Sequence, residues 1–367
     1  MFIKRNKDNN QEFFMRLALL QAHKMLGNTQ TNPSVGCVIV KNNCLISASS
    51  TSFGGRPHAE FNAINQLKYN VKDLKLYSTL EPCSHYGKTQ PCVNHIIRKK
   101  IKKVYFSIKD PDLRSYDKSA NYFKKNKINF KKGIYSNEIN SFYQSYIKYK
   151  KKGLPFVTAK IALSKDYYAK AKKNKFITNE FSRGRVHLLR SKHDCIITSF
   201  KTVKDDNPQL NCRIFGLEKH SPSRVILDTK LKISANCNLL KTANIYKTII
   251  FYNYGNKKKL NKLKRLNVKL YRTSLNEAEN LDLEEILNRL KTIGFSRIFL
   301  EAGIGLTASF LANNLIDDFH IFISNRKLKN NGDKNFKKIA NLFLKDKKYK
   351  YQKVNLLGDK LITYKMK

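Results

Sequence analysis

This sequence contains no tryptophan, few acidic side chains and no long apolar stretches. Its 367 residues include no Trp, and 27 Asp and Glu stand against 72 Lys and Arg. No apolar run approaches the roughly 20 residues that a transmembrane helix needs, so we expect no membrane-spanning segment. The N-terminus is basic and then polar, without the apolar segment of a secretory signal, and we therefore expect a cytoplasmic protein.

The excess of basic residues gives a formal net charge of +45. Nucleic-acid binding is one function that such a charge allows, because Lys and Arg neutralise phosphates. Lys, Asn, Ile and Tyr are, however, abundant in every part of the chain, which is typical of a general drift in residue usage. We therefore expect solvated basic surfaces that can steer phosphorylated small molecules, without a specific nucleic-acid partner.

Cysteine is also scarce, and the seven that are present make an odd number. In a chain without a secretory signal, this argues against a disulfide framework. Five of them stand in apolar or scattered settings and are predicted to be small core residues or incidental thiols: Cys37, Cys44, Cys195, Cys212 and Cys237. Only Cys83 and Cys92 share a neighbourhood that suggests chemistry.

The order of the apolar patterns predicts two α/β domains. In the first half they predict a helix over 11–25, a hairpin of strands at 35–40 and 45–50, a helix after Pro57, a strand at 75–80, a helix from Pro91 and a strand at 103–108. In the second half they predict buried strands at 156–162, 195–199, 223–228, 247–252 and 297–301, interleaved with helices over 180–191, 282–292 and 306–313. The charged stretch 145–155 ends in Gly and Pro and is the predicted boundary, which gives domains of residues 1–150 and 151–367.

Three residues of the first domain are candidate metal ligands. Catalytic zinc usually has three protein ligands and keeps one position for water, and His58, Cys83 and Cys92 would supply that number. We expect Pro57 in the first turn of its helix and each Pro-Cys pair near a helix start, where the helix dipole favours a thiolate. Glu60 then suits a general acid/base beside the metal.

This arrangement follows the signature of zinc nucleobase deaminases, His-x-Glu and then Pro-Cys-x-x-Cys. Here eight residues, SHYGKTQP, separate the two cysteines instead of two. The alternative is a structural zinc site, for which His85 or His95 could be a fourth ligand. A structural site would leave Glu60 without a role, so a catalytic site is the preferred interpretation.

The stretches PHAE, TLEPCSHYGKTQPC and TNPSVGCVIV together resemble the bifunctional riboflavin-biosynthesis deaminase/reductases, whose deaminase domain carries this long loop between the cysteines. The resemblance implies a cytidine-deaminase-like α/β/α domain that binds one zinc ion. It also implies that Asn32, His85 and Lys88 contact the pyrimidine of the substrate. Ordinary turn and loop residues are the alternative for these three.

The resemblance extends over nearly the whole chain, through residues 176–213, VILDT and LEAGIGLTASFL. It implies that the second domain is similar to dihydrofolate reductase and uses NADPH. The cofactor site would be lined by Leu163, Phe176, Thr202, Asp206, Thr229, Gly303, Ile304, Gly305, Leu306, Thr307, Ala308 and Ser309. The substrate would be held by Asn174, Arg190, Leu210, Arg213 and Glu301.

The residue types agree with this implication. Gly303 and Gly305 follow an apolar strand and open a helix, so the backbone can approach a pyrophosphate, although a plain strand-to-helix turn would also use glycine. Arg190 and Arg213 could grip a ribose phosphate with paired hydrogen bonds. Surface charge in a basic chain is the alternative for both arginines.

Three features depart from the family pattern. Residues 164–167 lack a glycine that the family has there, and Phe176 stands where the family often has Trp. Residues 112–123 also lack the glycines of the family. Because the other site residues are intact, we expect deamination of 2,5-diamino-6-(5-phosphoribosylamino)pyrimidin-4-one followed by reduction of its ribosyl group. The alternatives are a nucleic-acid or nucleoside deaminase with a decayed or repurposed second domain, and a binding protein with a relict zinc site. The sequence leaves open whether the chain forms a homo-oligomer.

Overall fold

The computed structural model of the protein describes residues 7–67, 72–172 and 176–367. The chain divides into two compact units, and the division falls between Leu154 and Pro155. Each unit buries apolar side chains of its own, one cluster in the first unit and two in the second. Within the described ranges, no helix combines the length and the apolar character that crossing a bilayer requires.

The first unit is a five-stranded sheet with helices. Its strands are β1 (Gly36–Lys41), β2 (Cys44–Ser50), β3 (Lys75–Leu80), β4 (Lys103–Ile108) and β5 (Asn129–Lys132). Its helices are α1 (Lys7–Met25), α2 (Ala59–Asn65), α3 (Cys92–Arg98), α4 (Ser119–Lys125) and α5 (Ser136–Lys152). The strand order is β2-β1-β3-β4-β5, in which β1 is antiparallel to both of its neighbours and β3, β4 and β5 are parallel.

The β1–β2 hairpin forms as predicted. Asn42 and Asn43 adopt the left-handed conformation in its turn, with φ of 48° and 62°, which asparagine tolerates better than most residues. Helix α1 packs tightly on β1, because a Cβ on Gly36 would lie only 1.8 Å from the carbonyl oxygen of Ala18. A glycine is therefore required where this helix crosses the centre of the sheet.

Two predictions at the metal-binding elements are wrong in detail. Helix α2 begins at Ala59, with His58 at the N-cap in extended conformation, so Pro57 precedes the helix and does not occupy its first turn. Cys83 lies in a loop after β3 and not at a helix start, whereas Cys92 is the first residue of α3. The dipole argument therefore applies to only one of the two cysteines.

The charged stretch predicted as a boundary is largely helical. Helix α5 continues to Lys152 and ends at Gly153, which is left-handed with φ of 62°. A glycine in this conformation is a common end of a helix. The division between the units follows directly after that end.

The second unit is built on a nine-stranded sheet. Its strands are β6 (Phe156–Leu163), β7 (Tyr168–Ala171), β8 (Cys195–Ser199), β9 (Ser223–Leu227), β10 (Thr248–Tyr252), β11 (Val268–Arg272), β12 (Arg297–Glu301), β13 (Asp318–Ile323), β14 (Gly332–Asn335), β15 (Tyr349–Tyr351) and β16 (Lys360–Lys365). Its helices are α6 (Glu180–Arg190), α7 (Phe200–Asp206), α8 (Asn238–Lys241), α9 (Lys257–Arg265), α10 (Leu283–Thr292), α11 (Ile304–Ala312) and α12 (Lys337–Leu344). The order in the main sheet is β11-β10-β9-β8-β12-β6-β13-β16-β15, while β7 and β14 form a separate pair.

Seven strands of the main sheet are parallel, from β11 to β13, and only β16 and β15 run against their neighbours. All five predicted strands of this unit are present, because buried parallel strands are continuous apolar runs in sequence. Parallel strands bring their carboxyl ends to one edge of a sheet, where ligands bind in open α/β folds. Residues that follow β8, β9 and β12 therefore lie along a common edge.

Candidate active sites

Three potential metal ligands converge in the first unit. The Nδ1 atom of His58 lies 3.5 Å from the sulfur of Cys83 and 3.4 Å from that of Cys92. Tetrahedral zinc, with bonds of about 2.0 to 2.3 Å, would separate nitrogen and sulfur ligands by roughly 3.5 Å. The donor atoms and their spacing therefore fit a zinc ion. Within the described ranges, this is the one group of three such side chains with ligand atoms within 4.8 Å of one another.

The two cysteines are joined by a hydrogen bond. The backbone N–H of Cys92 donates to the sulfur of Cys83 over 3.3 Å. Hydrogen bonding from Cys92 lowers the pKa of Cys83 to about 4. This shift favours the thiolate of Cys83, and a thiolate is the form of cysteine that binds a metal.

Glu60 lies directly beside the three ligands. Its Oε2 atom is 3.4 Å from the sulfur of Cys92, and its Oε1 atom accepts a hydrogen bond of 3.2 Å from the Ser78 hydroxyl. The side chain is buried, with 2% of the residue exposed. Burial, and then the nearby Cys83 thiolate, raise the pKa of Glu60. A raised pKa suits a carboxyl group that has to take up a proton and release it again.

The three predicted pyrimidine contacts lie in loops. Asn32 is half-buried before β1 and packs against Gly55, where a Cβ would come within 2.4 Å of its Nδ2 atom. His85 is half-buried, and its Nδ1 atom lies 2.7 Å from the hydroxyl oxygen of Ser115. Lys88 is exposed in the loop between the cysteines. Contact of these three with a pyrimidine stays a prediction.

Sequence reasoning did not single out several residues that support this site. Ser78 donates to Glu60, Ser115 contacts His85, and a guanidinium nitrogen of Arg56 donates to the hydroxyl of Thr89 in the loop between the cysteines. None of these residues belongs to a recognisable pattern, because each contact joins segments that are distant in sequence. The only signal was the unusual composition of the stretch that contains Ser115.

Asp110 is a buried acid next to the loop that contains Ser115. Its Oδ1 atom accepts hydrogen bonds from the Asp112 N–H and the Tyr146 hydroxyl, both over 3.0 Å. Burial raises the pKa of Asp110 to about 6 despite these bonds. The folded protein thus holds a proton on Asp110 more tightly than the unfolded chain does.

This shift predicts a pH dependence of stability. A group whose pKa is raised by folding stabilises the fold below its unfolded pKa of about 4, and this contribution is lost as the pH rises through about 6. We expect Asp110→Asn to raise the free energy of unfolding of the first unit by about 2 to 3 kcal/mol at pH 7 and to leave it unchanged near pH 4. Urea unfolding read through hydrogen exchange of β3 and β4 amides measures this. An equal difference at both pH values would refute the assignment.

In the second unit, Arg190 and Glu301 form a buried ion pair. The Nε and Nη2 atoms of Arg190 donate to the two carboxylate oxygens over 2.9 and 2.8 Å, and the two side chains are 10% and 15% exposed. The Nη1 atom of Arg190 donates to the Asn211 carbonyl over 3.0 Å. All three nitrogens of Arg190 therefore already have protein partners. Of the two predicted phosphate-binding arginines, Arg213 is the one that is exposed.

Glu301 is also 3.9 Å from the Nζ atom of Lys160, so Glu301→Gln would remove the carboxylate that Arg190 and Lys160 share. Breaking a buried pair usually costs about 3 to 5 kcal/mol. Because Gln keeps one acceptor oxygen, we expect a loss of about 3 kcal/mol in the stability of the second unit, with loss of reduction. Asp205→Asn is the control, because its surface contacts with Lys170 and Lys334 should be worth less than about 1 kcal/mol. Equal losses in the two variants, measured by chemical denaturation, would argue against a buried pair.

The predicted glycine-rich loop after β12 is mostly the start of helix α11. Gly303 is its N-cap, and the Gly303 N–H donates to the Thr202 hydroxyl over 3.2 Å. Among the described residues, no atom apart from those of its chain neighbours and its own helix backbone lies within 4 Å of the place where a Cβ on Gly305 would stand. An unobstructed helix N-terminus at the carboxyl edge of a parallel sheet fits the pyrophosphate of a dinucleotide such as NADPH. Ile304, Leu306, Thr307, Ala308 and Ser309 all lie within this helix.

The other predicted residues of this site differ in accessibility. Leu163 is fully buried, and Leu210 is 3% exposed with a left-handed φ of 50°. Asp206 is exposed at the end of α7, and the carbonyl of Thr229 accepts two backbone hydrogen bonds. Their contact with cofactor or substrate stays a prediction, and Asn174 lies outside the described residues.

Phe176, which replaces a common Trp, is 55% exposed. The guanidinium carbon of Arg183 lies 4.5 Å from the centre of its ring. Phe176 is therefore largely accessible to solvent and lies beside the positive charge of Arg183.

The turn that lacks the family's glycine is formed nonetheless. Tyr167 adopts the left-handed conformation there, with φ of 68°, which glycine would adopt without strain. The Ser164 hydroxyl donates to Asp166 over 2.6 Å and accepts from the Tyr168 N–H over 2.9 Å. Side-chain hydrogen bonds thus support the connection from β6 to β7 despite the departure from the family sequence.

Two protein-family profiles match this chain. The profile described as the cytidine and deoxycytidylate deaminase zinc-binding region matches residues 8–108. The profile described as the RibD C-terminal domain matches residues 155–328. The first match contains all three candidate zinc ligands and Glu60, and the second contains both Arg190 and Glu301.

Whole proteins are similar over nearly the full length. The riboflavin biosynthesis protein RibD of Bacillus amyloliquefaciens is 33% identical over 317 residues, which cover 86% of this chain and 84% of that protein. RibD of Aquifex aeolicus is 30% identical over 356 residues, with 96% and 97% covered.

Solved structures of RibD proteins are similar to this chain as well. Acinetobacter baumannii RibD matches with a TM-score of 0.84 at 26% identity and covers 98% of this chain and 100% of that chain. A Thermotoga maritima protein, titled as a diaminohydroxyphosphoribosylaminopyrimidine deaminase/5-amino-6-(5-phosphoribosylamino)uracil reductase, matches with a TM-score of 0.83 at 27% identity and covers 99% of this chain and 100% of that chain. The similarity of its sequence and of both folded units shows that the chain belongs to the RibD family of riboflavin-biosynthesis proteins.

Proposed function

We propose that the protein catalyses two successive steps of riboflavin biosynthesis. The first domain, residues 1–150, removes an amino group from 2,5-diamino-6-(5-phosphoribosylamino)pyrimidin-4-one by hydrolysis. The second, residues 151–367, reduces the ribosyl group of the product to a ribityl group with NADPH. The observation that carries this proposal is the convergence of His58, Cys83 and Cys92 beside Glu60 in a chain of this family.

In the first step, His58 Nδ1 and the sulfurs of Cys83 and Cys92 would hold zinc. When bound, zinc lowers the pKa of a water molecule and supplies a nucleophile at neutral pH. Glu60 carries the proton at Oε2, the oxygen that lies beside the metal ligand Cys92, while its Oε1 atom accepts the hydrogen bond from the Ser78 hydroxyl. It takes a proton from the attacking water and gives it to the departing amino group.

In the second step, the protein places cofactor and sugar, and NADPH supplies the hydride when bound. The first turn of α11 would hold the pyrophosphate, and Arg213 would hold the ribose phosphate. Burial acts to raise the pKa of Glu301, but Arg190 and Lys160 outweigh it and lower that pKa to about 2. Glu301 is therefore ionised at neutral pH and can accept a hydrogen bond from a sugar hydroxyl.

A nucleic-acid deaminase is the competing function. Two hydrogen bonds hold the long loop between the cysteines: Arg56 donates to the Thr89 side chain, and Arg98 donates to the Gln90 side chain. We infer that this loop forms a wall suited to a small pyrimidine. The absence of a specific nucleic-acid partner and a location in the cytoplasm stay predictions.

Each activity can be tested with its own substrate on the full chain. The diaminopyrimidine phosphate should release ammonia in the presence of zinc without NADPH. The aminouracil phosphate should oxidise NADPH, with or without zinc. Ammonia release from an RNA substrate, and none from the pyrimidine phosphate, would support the competing function instead.

A further inference from the structure

The segment between β4 and α4, residues 109–118, lies beside the candidate deaminase site. It falls in the part of the first domain where the family's glycines are missing. The buried carboxylate of Glu81 accepts hydrogen bonds from the N–H groups of Asp110, Asp117 and Ser119, over 3.2, 2.9 and 3.0 Å. The Ser119 hydroxyl adds a fourth bond of 2.8 Å. One carboxylate, two positions before Cys83, therefore anchors both ends of the segment.

Ser115 lies in the middle of this segment and is fully buried. Its N–H donates to the Asp112 carbonyl over 2.9 Å, and its own carbonyl accepts from the Lys118 N–H over 3.0 Å. The backbone is thus fixed on both sides of the side chain. The Ser115 hydroxyl extends from this fixed backbone and contacts His85.

The contact between Ser115 and His85 joins the segment to the site. The hydroxyl oxygen is 2.7 Å from Nδ1 of His85, a distance typical of a strong hydrogen bond. With Nδ1 engaged, the ring has a set orientation, and Nε2 is the nitrogen that is left for a ligand. An imidazole is generally oriented by the hydrogen bond at its other nitrogen.

We propose that Ser115 is a positioning residue for deamination, whose hydroxyl fixes the ring of His85 so that Nε2 meets the pyrimidine. The inference rests on the proposed function, from which it takes the contact between His85 and the substrate. The altered segment is then a rebuilt support of the site, anchored by Glu81, and not a sign of decay.

The test is the kinetics of ammonia release by Ser115→Ala. A ring that contacts the substrate equally in ground and transition states affects KM more than kcat. We expect KM for the diaminopyrimidine phosphate to rise roughly 5- to 20-fold, with kcat within about twofold. Ser107→Ala is the matched control, since its buried hydroxyl has no hydrogen-bond partner among the described residues. It should leave KM unchanged.

A double-mutant cycle separates positioning from general damage. In a His85→Ala background, adding Ser115→Ala should have no further effect on KM, because the ring through which Ser115 acts is absent. A loss that persists in full in this background would overturn the proposal. So would an unchanged KM in Ser115→Ala itself.

Two further variants keep the test decisive if Ser115→Ala loses zinc or unfolds. Ser115→Thr keeps the hydroxyl. Ser115→Val introduces a side chain of nearly the same shape as threonine but without the hydroxyl, so KM should rise in the valine variant only. An equal KM in both would overturn the proposal. Zinc content and reduction of the aminouracil phosphate report the integrity of each unit. Absence of deamination in the unsubstituted protein would overturn the proposed function itself, which is a different outcome.

Discussion

Glu60→Gln is expected to abolish ammonia release and to leave the reductase unaffected. The amide keeps the size of the side chain and can still accept the hydrogen bond from Ser78, but it cannot carry a proton at neutral pH. A positioned acid/base contributes about 10²- to 10⁴-fold to the rate, so kcat for deamination should fall by at least about 100-fold. The measurement is ammonia release from the diaminopyrimidine phosphate by zinc-loaded protein.

Two controls make this result specific. Glu12→Gln removes an exposed carboxylate from α1 of the same unit and should leave the rate unchanged. Reduction of the aminouracil phosphate by Glu60→Gln should proceed at the normal rate, because the residues proposed for that step all lie in the second unit. A Glu60→Gln protein that holds zinc and retains more than about a tenth of the normal deamination rate would rule out the acid/base role.

The second large effect is expected from Cys92→Ser. Serine is a poor zinc ligand, and the loss of one of three ligands should weaken zinc binding by at least about 100-fold and abolish deamination. Because bound zinc also stabilises the folded unit, the variant should lose about 2.3 to 2.7 kcal/mol when zinc stands at 100 times the Kd of the unsubstituted site. Metal analysis and denaturation with and without added zinc measure both effects.

Cys44→Ser is the matched control, because Cys44 is a free, exposed cysteine of the same unit. It should bind one zinc ion per chain and deaminate normally. A chelator should reproduce the Cys92→Ser phenotype in the unsubstituted protein, and added zinc should reverse it. If Cys92→Ser kept its zinc under these conditions, the ligand assignment would be wrong.

The candidate metal site was accessible from sequence because its chemistry is concentrated in short stretches. His58 and Glu60 stand two residues apart, and each cysteine follows a proline. The predicted local structure was wrong around two of these residues. Cys83 must leave β3 and meet the start of α3, and this tertiary requirement outweighs the helix signal of the preceding proline.

Supporting contacts could not be predicted, because they join distant segments. His85 and Ser115 are 30 positions apart, and Arg190 and Glu301 are 111 apart. The resemblance names Arg190 and Glu301 as substrate residues, but only the structure shows that each already neutralises the other. Five strands of the second unit were predictable for the opposite reason, since a buried strand is visible in its own apolar sequence, whereas β7, β11 and β13 to β16 were not predicted.

In the proposed function, one chain deaminates first and reduces second. The most direct measurement supplies zinc-loaded protein with the diaminopyrimidine phosphate and NADPH, and follows ammonia and NADPH separately over time. We expect that ammonia release begins at once, that NADPH oxidation lags behind it, and that the final amounts are equal. Oxidation of NADPH before ammonia appears, or equally fast in Glu60→Gln supplied with the same substrate, would show that reduction does not depend on prior deamination.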